Sequence, residues 1–217
     1  MLLINLKQWR GMFRGLIADR SGLAFIELAL SLPMLLGVGL FGLETINLAT
    51  THLILSNMAS QVANNAGRVR TSIDEADIKE IMLGADMMGK KIKFSANGRV
   101  ILSSVELNPT GTGQWIRWQR CFGSKAVSIH YGAQGTGMND NTLADGIGPT
   151  GRKIFAPGGS AIMFVELVYD YQRLIPFNIY GARTITYLAA SGVRERTDQA
   201  IKNASNLTPS NCNYVFF

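Results

Sequence analysis

Asp19-Arg-Ser-Gly-Leu-Ala-Phe-Ile-Glu-Leu-Ala-Leu-Ser-Leu-Pro33 is the stretch whose reading settles the architecture of this chain. A basic leader ends at Gly22. An apolar run from Leu23 to Leu43 follows, with one charge inside it, Glu27. At about 1.5 Å of rise per residue, a helix over Leu23–Leu43 is about 31 Å long, which matches a hydrocarbon core of about 30 Å. The run exceeds the roughly 7–15-residue apolar core of an ordinary secretory signal, and no small-x-small cleavage site follows it. It reads as a membrane helix. Lys7, Arg10, Arg14 and Arg20 precede it, opposed only by Asp19. The positive-inside rule then places the N-terminus in the cytoplasm and residues 44–217 on the exported side. A carboxylate in such a helix costs on the order of 2–3 kcal/mol near mid-bilayer and less near an interface, so Glu27 is a functional candidate.

Working outward, the helix continues past the membrane. Leu55, Met58, Ala59, Val62, Ala66 and Val69 recur at three- and four-residue steps, with Asn57, Gln61, Asn64, Asn65 and Arg68 between them. This is one amphipathic stripe, and it predicts a single helix over about Leu23–Arg70, bent locally at Pro33. Ser72-Ile-Asp-Glu75 fits a capping box for a second helix, with Ile78, Ile81, Met82, Ala85 and Met88 as its buried face and Gly89 as its stop. Methionines at this spacing fill a core and do not make a soft-metal site. Beyond Gly89 the period becomes two. Ile92 and Phe94 alternate with lysines, Asn97-Gly98 predicts a hairpin turn, and a strand over Val100–Leu107 follows. A second turn at Asn108–Gly113 leads to a strand over Gln114–Phe122. Residues 130–160 are punctuated by glycines and read as loop. Further strands are predicted at Ala161–Tyr171 and Thr184–Ala190, and Val193–Asp198 reads as a charged, exposed segment. The predicted fold is α+β: a long N-terminal membrane-spanning helix packed on a small antiparallel sheet. Its divisions are a leader over 1–22, a transmembrane helix over 23–43 and an exported domain over 44–217.

The composition excludes several functional classes. The net charge is +6, and removing residues 1–22 takes away four positive charges and one negative, leaving +3. The basic pI near 9.5 thus owes much to topology, and no nucleic-acid partner is implied. Cys121 and Cys212 are the two cysteines. Both lie on the exported side and neither sits in a C-x-x-C, which predicts one disulfide and no metal knuckle. His52 and His130 are the two histidines, too few and too far apart for a catalytic zinc site. Gly-x-Ser-x-Gly is absent. Gly132-Ala-Gln-Gly-Thr-Gly137 lacks the Gly-Lys-Ser/Thr ending of a phosphate loop. Asn139, Asp140, Asn141 and Asp145 lack the spacing of a calcium loop. Trp115, Trp118, Tyr131, Tyr169 and Tyr171 fall on or beside strand segments and are assigned to packing. Glu166 lies mid-strand, either exposed on the outer face or paired with an arginine such as Arg117 or Arg120. Asn203-Ala-Ser and Asn206-Leu-Thr match the glycosylation sequon. No catalytic residues, no metal, no cofactor and no small-molecule substrate are expected, and the chain is not read as an enzyme.

Glycine, then a hydrophobic helix with glutamate at its fifth position, resembles the type IV prepilin pattern. Prepilin peptidase cuts such chains after the glycine, which here falls between Gly22 and Leu23. Arg20-Ser-Gly22, Phe25-Ile-Glu27-Leu-Ala and Leu32-Pro33-Met-Leu-Leu resemble the N-terminal stretch of the TadE-like family, pseudopilins of the tight-adherence (Tad, or Flp) pilus system. Trp118-Gln-Arg-Cys121, the stretch from Pro157 through Glu166 to Tyr169, and Val193-Arg-Glu-Arg196 are similar to the exported part of TadE, TadF and TadG proteins alike. Met1 and Met12 both stand as candidate starts. The resemblance implies a processed minor pseudopilin in the bacterial inner membrane, its C-terminal domain periplasmic. Its implied partners are prepilin peptidase, other Tad pilus proteins and the Flp-type pilin, and its implied role is adherence and biofilm formation. Glu27 would pair with an N-terminal amine during assembly. The alternative is an uncut, permanently anchored periplasmic scaffold or envelope-binding module of the same machinery.

Overall fold

The computed structural model describes Gly15 and residues 22–212. The predicted leader lies outside the described residues except at Gly15 and Gly22, and so does the terminal Val215-Phe216-Phe217. The chain forms two compact units, one ending at Ile46 and the other beginning at Asn47. Helix α1, Leu23–Arg68, belongs to both and passes through Pro33 without a break. The elements that follow are β1 (Ile73–Asp74), α2 (Glu75–Gly89), a 3-10 turn (Lys90–Ile92), α3 (Phe94–Asn97), β2 (Gly98–Leu107), β3 (Gln114–Phe122), β4 (Ala161–Asp170), β5 (Thr184–Gly192) and β6 (Ile201–Lys202). This is the predicted α+β arrangement, a long apolar helix packed on a small antiparallel sheet.

In the first unit the most apolar stretch of α1 is entirely unburied. Leu23, Phe25, Ile26, Leu30, Met34, Leu35 and Val38 point outward on every side. A helix that is apolar all round belongs in a membrane or in the core of a larger assembly.

In the second unit α1 turns amphipathic. Leu55, Met58, Ala59, Val62, Ala63 and Ala66 are buried, and they share one core with Ile78, Met82 and Ala85 of α2 and with Val100, Leu102, Trp118, Met163, Val165 and Leu167 of the sheet. The strand order is β3-β2-β4-β5, antiparallel throughout. A bulge shifts the β2–β3 register between Ser104 and Val105, leaving Arg117 as the extra residue. Across that bulge β3 changes face, so Trp118 enters the helix-side core while Ile116 enters a second core. The second core lies on the opposite face. Val105, Ile116 and Phe164 are covered there by Leu143 and Ile147 of the long loop before β4. The central strand β4 is consequently buried on both sides, as a continuous apolar run permits.

Five local expectations need correction. The cap of α2 is Asp74, not Ser72. The Asp74 carboxylate accepts from Ala76 N, and the Asp77 carboxylate accepts from Asp74 N. Residues Ile73–Asp74 are engaged as β1, paired in parallel with β6, which delays the helix start and makes Glu75 its first residue. The alternation at Ile92 and Phe94 is not a strand. Phe94 instead drops into the core, stacked between Phe122 and Tyr169 with centroids 6.4 Å and 5.9 Å away. Gly89 and Gly98 flank that side chain so closely that a Cβ at Gly89 would meet the Phe94 Cβ, and one at Gly98 the ring edge, each at 2.4 Å. Asn97-Gly98 accordingly ends α3 and opens β2, and the hairpin turn is the one at Asn108–Gly113. Nor is Val193–Asp198 wholly exposed, because Arg196 is buried. Its guanidinium donates to the carbonyls of Ala66 and Val69, both at 3.3 Å, capping the C-terminal end of α1. Finally, Glu166 is neither exposed nor paired with Arg117 or Arg120. Arg117 binds Glu106 at 3.0 Å and Arg120 binds Glu75.

Candidate functional site

The candidate residues Gly22, Leu23 and Glu27 lie at the head of α1. Gly22 lies in a turn, and Ile26 N donates to Gly22 O at 3.1 Å, so the first helical hydrogen bond begins at the glycine itself. Leu23 is the first helical residue. Glu27 follows one turn later, about 6 Å along the axis, and its side chain is exposed among exposed apolar neighbours. A new N-terminus at Leu23 would put an ammonium at a helix end whose own unpaired N–H groups already favour negative charge. The arrangement offers an acceptor, Glu27, on an otherwise featureless apolar cylinder. Chemically it can attract one cation and set a register.

The second unit holds the remaining chemistry-bearing residues. Cys121 and Cys212 form a disulfide, S–S 2.05 Å and Cα–Cα 4.9 Å. Cys121 N also donates to Ser210 O at 2.8 Å, so the C-terminal segment runs against the end of β3. The bond sits in a small apolar cluster with Ile101, Val127 and Val168. Glu75 and Arg120 are both buried. The Arg120 Nε donates to both carboxylate oxygens, at 2.9 and 3.1 Å, and a further guanidinium nitrogen meets Oε1. Sequence spacing could not reveal this pair, since its members are 45 positions apart.

Glu166 is buried and pairs with His130 through Nδ1···Oε1 at 2.6 Å. Burial pushes the Glu166 carboxyl above its ordinary value, while the charge and hydrogen bond of His130 pull the other way. Burial, aided by the Glu166 charge, raises the neighbouring Tyr131 as well. A histidine beside a carboxylate can serve as a general base, but the cavity alongside measures about 10 Å³, enough for a single water. Ser103 and Tyr131 line it as well, and the Ser103 hydroxyl accepts from Gln119 Nε2 at 2.7 Å. The arrangement is a carboxyl–imidazole hydrogen bond on the loop-side face of the sheet. His52 contacts the Tyr187 hydroxyl at 3.0 Å, its ring edge-on to the phenol.

The oxygen-rich loop is committed to its own turn. Asp140 accepts from Thr142 N at 2.8 Å, and Asp145 pairs with Lys153 at 3.4 Å. Among the described residues no three His, Cys, Asp or Glu side chains converge. Trp118 donates from Nε1 to Gln199 O at 2.9 Å, and Tyr169 donates to Ile92 O at 2.7 Å. Burial pushes the Tyr169 phenol up to about 12. Both rings fill core, as their strand positions predict.

No family model matches the chain, and searches of curated proteins and of solved structures return no match.

Proposed function

We propose that this chain is a TadE-like minor pseudopilin, a non-enzymatic component of Tad/Flp pilus assembly. In this reading α1 holds the subunit in the bacterial inner membrane, N-terminus cytoplasmic and the domain from residue 44 onward periplasmic. Prepilin peptidase then removes residues 1–22. The processed subunit helps to prime a filament of Flp-type pilin, supporting adherence and biofilm formation. One observation carries the proposal: a glycine-led helix, apolar on every side for a membrane's depth, bears a single carboxylate at its fifth position and continues into the packed helix of a small α+β domain. Such a surface suits lipid before assembly and neighbouring subunits after it, because both are apolar. The disulfide agrees with an oxidising, exported compartment.

The test is the N-terminus of the protein recovered from a host that carries the peptidase. The expected result is a chain beginning at Leu23. Recovery of chain beginning at Met1 or Met12 alone would favour the uncut, permanently anchored scaffold.

A further inference from the structure

Between β4 and β5 the chain reads Tyr171-Gln-Arg-Leu-Ile-Pro-Phe-Asn-Ile-Tyr-Gly-Ala-Arg183. This connection buries Ile175 but leaves most of its other apolar residues outside the core. Leu174 and Phe177 are 62% and 65% exposed, and Ile179 also faces outward. Arg173 and Arg183 bracket them, Arg183 lying over the Tyr180 ring at 5.3 Å. Exposed apolar and aromatic tips flanked by arginine are the chemistry of a segment lying at a lipid–water boundary, rings toward the acyl chains and guanidinium groups at the phosphates.

The loop is tied to the point where α1 leaves its apolar run. Asn47 Nδ2 donates to the Tyr171 hydroxyl at 2.8 Å and to Gln172 O at 3.3 Å. Asn47 follows Leu43 by four residues, a rise of about 6 Å in a helix, and headgroups extend about 5–7 Å beyond the hydrocarbon on each side. Next to that anchor point opens a cleft of about 350 Å³, lined among others by Asn47, Thr50, Lys91, Lys93, Tyr169 and Arg173. No carboxylate lines it. None of Lys91, Lys93 and Arg173 takes part in an ion pair among the described residues. Three cations without an ion-pair partner among the described residues thus stand beside an exposed apolar loop.

We propose that this face, Leu174, Phe177 and Ile179 with Lys91, Lys93 and Arg173, docks on the anionic lipid leaflet from which α1 emerges. The apolar tips enter the headgroup–acyl boundary, and the three cations engage lipid phosphates. The docked domain is held down on the bilayer, so extraction of the subunit must break this contact as well as remove α1 from lipid. The inference rests on reading Leu23–Leu43 as a membrane anchor.

The test uses the full chain in lipid nanodiscs with an environment-sensitive fluorophore on a single introduced cysteine, the two native cysteines being bonded to each other. Three positions are compared by quenching from spin-labelled lipid: Asn178→Cys in the loop, Phe25→Cys in α1 and Thr110→Cys in the distant β2–β3 turn. The expected result is quenching at position 25 in all discs and little at 110. Position 178 should be quenched strongly in phosphatidylglycerol discs and weakly in phosphatidylcholine. Alanine at Lys91, Lys93 and Arg173 should lower the docked-to-undocked ratio in phosphatidylglycerol about fivefold per cation removed. Quenching at 25 with position 178 matching 110 overturns the docking and leaves the anchor intact. Equal quenching at 178 in both lipids overturns the recognition of anionic headgroups. Absence of quenching at 25 removes the anchor reading, and this inference with it.

Discussion

Glu166 and Glu75 are both acids buried under the same sheet, and their partners give them opposite fates. Glu166 has a half-exposed histidine beside it. Its carboxyl is raised above the ordinary 4.5 because burial outweighs that partner. A carboxyl raised on folding holds its proton more tightly in the native state. Its contribution is therefore fully present below about pH 4.5 and is lost as pH rises through the folded value. Glu166→Gln keeps the shape and an acceptor without the charge. Wild-type stability minus that of Glu166→Gln should fall as pH is raised from about 4 to 7, read as the difference between denaturant midpoints at each pH. A difference that is flat or rises would show that the ion pair outweighs the burial. Glu75 is held by a bidentate arginine instead. Glu75→Ala strands the Arg120 charge and should cost roughly 3–5 kcal/mol, whereas joint Glu75→Leu and Arg120→Met should recover most of that loss. Equal destabilisation by the single and double variants would argue against a strictly paired role. Neither contact was legible from sequence. Arg120 and Arg117 were the natural candidates for Glu166, but the register of β2 against β4 seats Glu166 opposite Ile101 and on the loop-side face, where His130 arrives from a glycine-rich stretch with no periodicity to read.

At the scale of elements, long periodic segments were readable and short ones were not. The helix from Leu23 and the strands at 114, 161 and 184 carry enough residues for a period to show. Ile92 and Phe94 had only two alternating positions, and a core cavity between Gly89 and Gly98 claimed the ring first. The capping box failed for a related reason. Ser72 and Glu75 have the right spacing, but pairing of β1 with β6 depends on residues about 130 positions away. The second covered face of the sheet was likewise hidden, because loop residues such as Leu143 and Ile147 pack without a repeating pattern. The disulfide was readable, since two cysteines on one domain have one intramolecular option. It closes 91 positions and fastens the C-terminal segment to the end of β3. Replacing both cysteines with serine should destabilise the domain by about 2–4 kcal/mol and expose the segment beyond Lys202 to protease. An unchanged melting temperature together with an intact segment would mean that the backbone bonds alone suffice there.

At the scale of the whole molecule, the proposal turns on what Glu27 meets after α1 leaves lipid. Cleavage between Gly22 and Leu23, as proposed, would create an α-amine that is charged near neutral pH, about 6 Å along the helix from Glu27. In the membrane, Glu27 lies four residues into the apolar run and can reach the interface through its own stem and nearby water. In an apolar filament core that escape closes. The amine of a neighbouring subunit is then its natural partner, and the attraction grows as the pair loses water. A subunit that retains its leader has no amine at that position, which leaves Glu27 buried and unpaired at a cost of roughly 3–5 kcal/mol. The pair would thereby reject unprocessed subunits and fix the stagger of processed ones. Glu27→Ala should insert into the membrane and be cut at Gly22 as the wild type is, because neither step needs the carboxylate, while Tad pilus assembly falls. Glu27→Gln should fall with it, since an amide keeps the size and loses the charge. The measurement is pilus yield in strains whose only copy is the variant, alongside N-terminal analysis of the membrane fraction. Wild-type piliation with either variant would refute the register device, and loss of cleavage would move the role of Glu27 from assembly to processing.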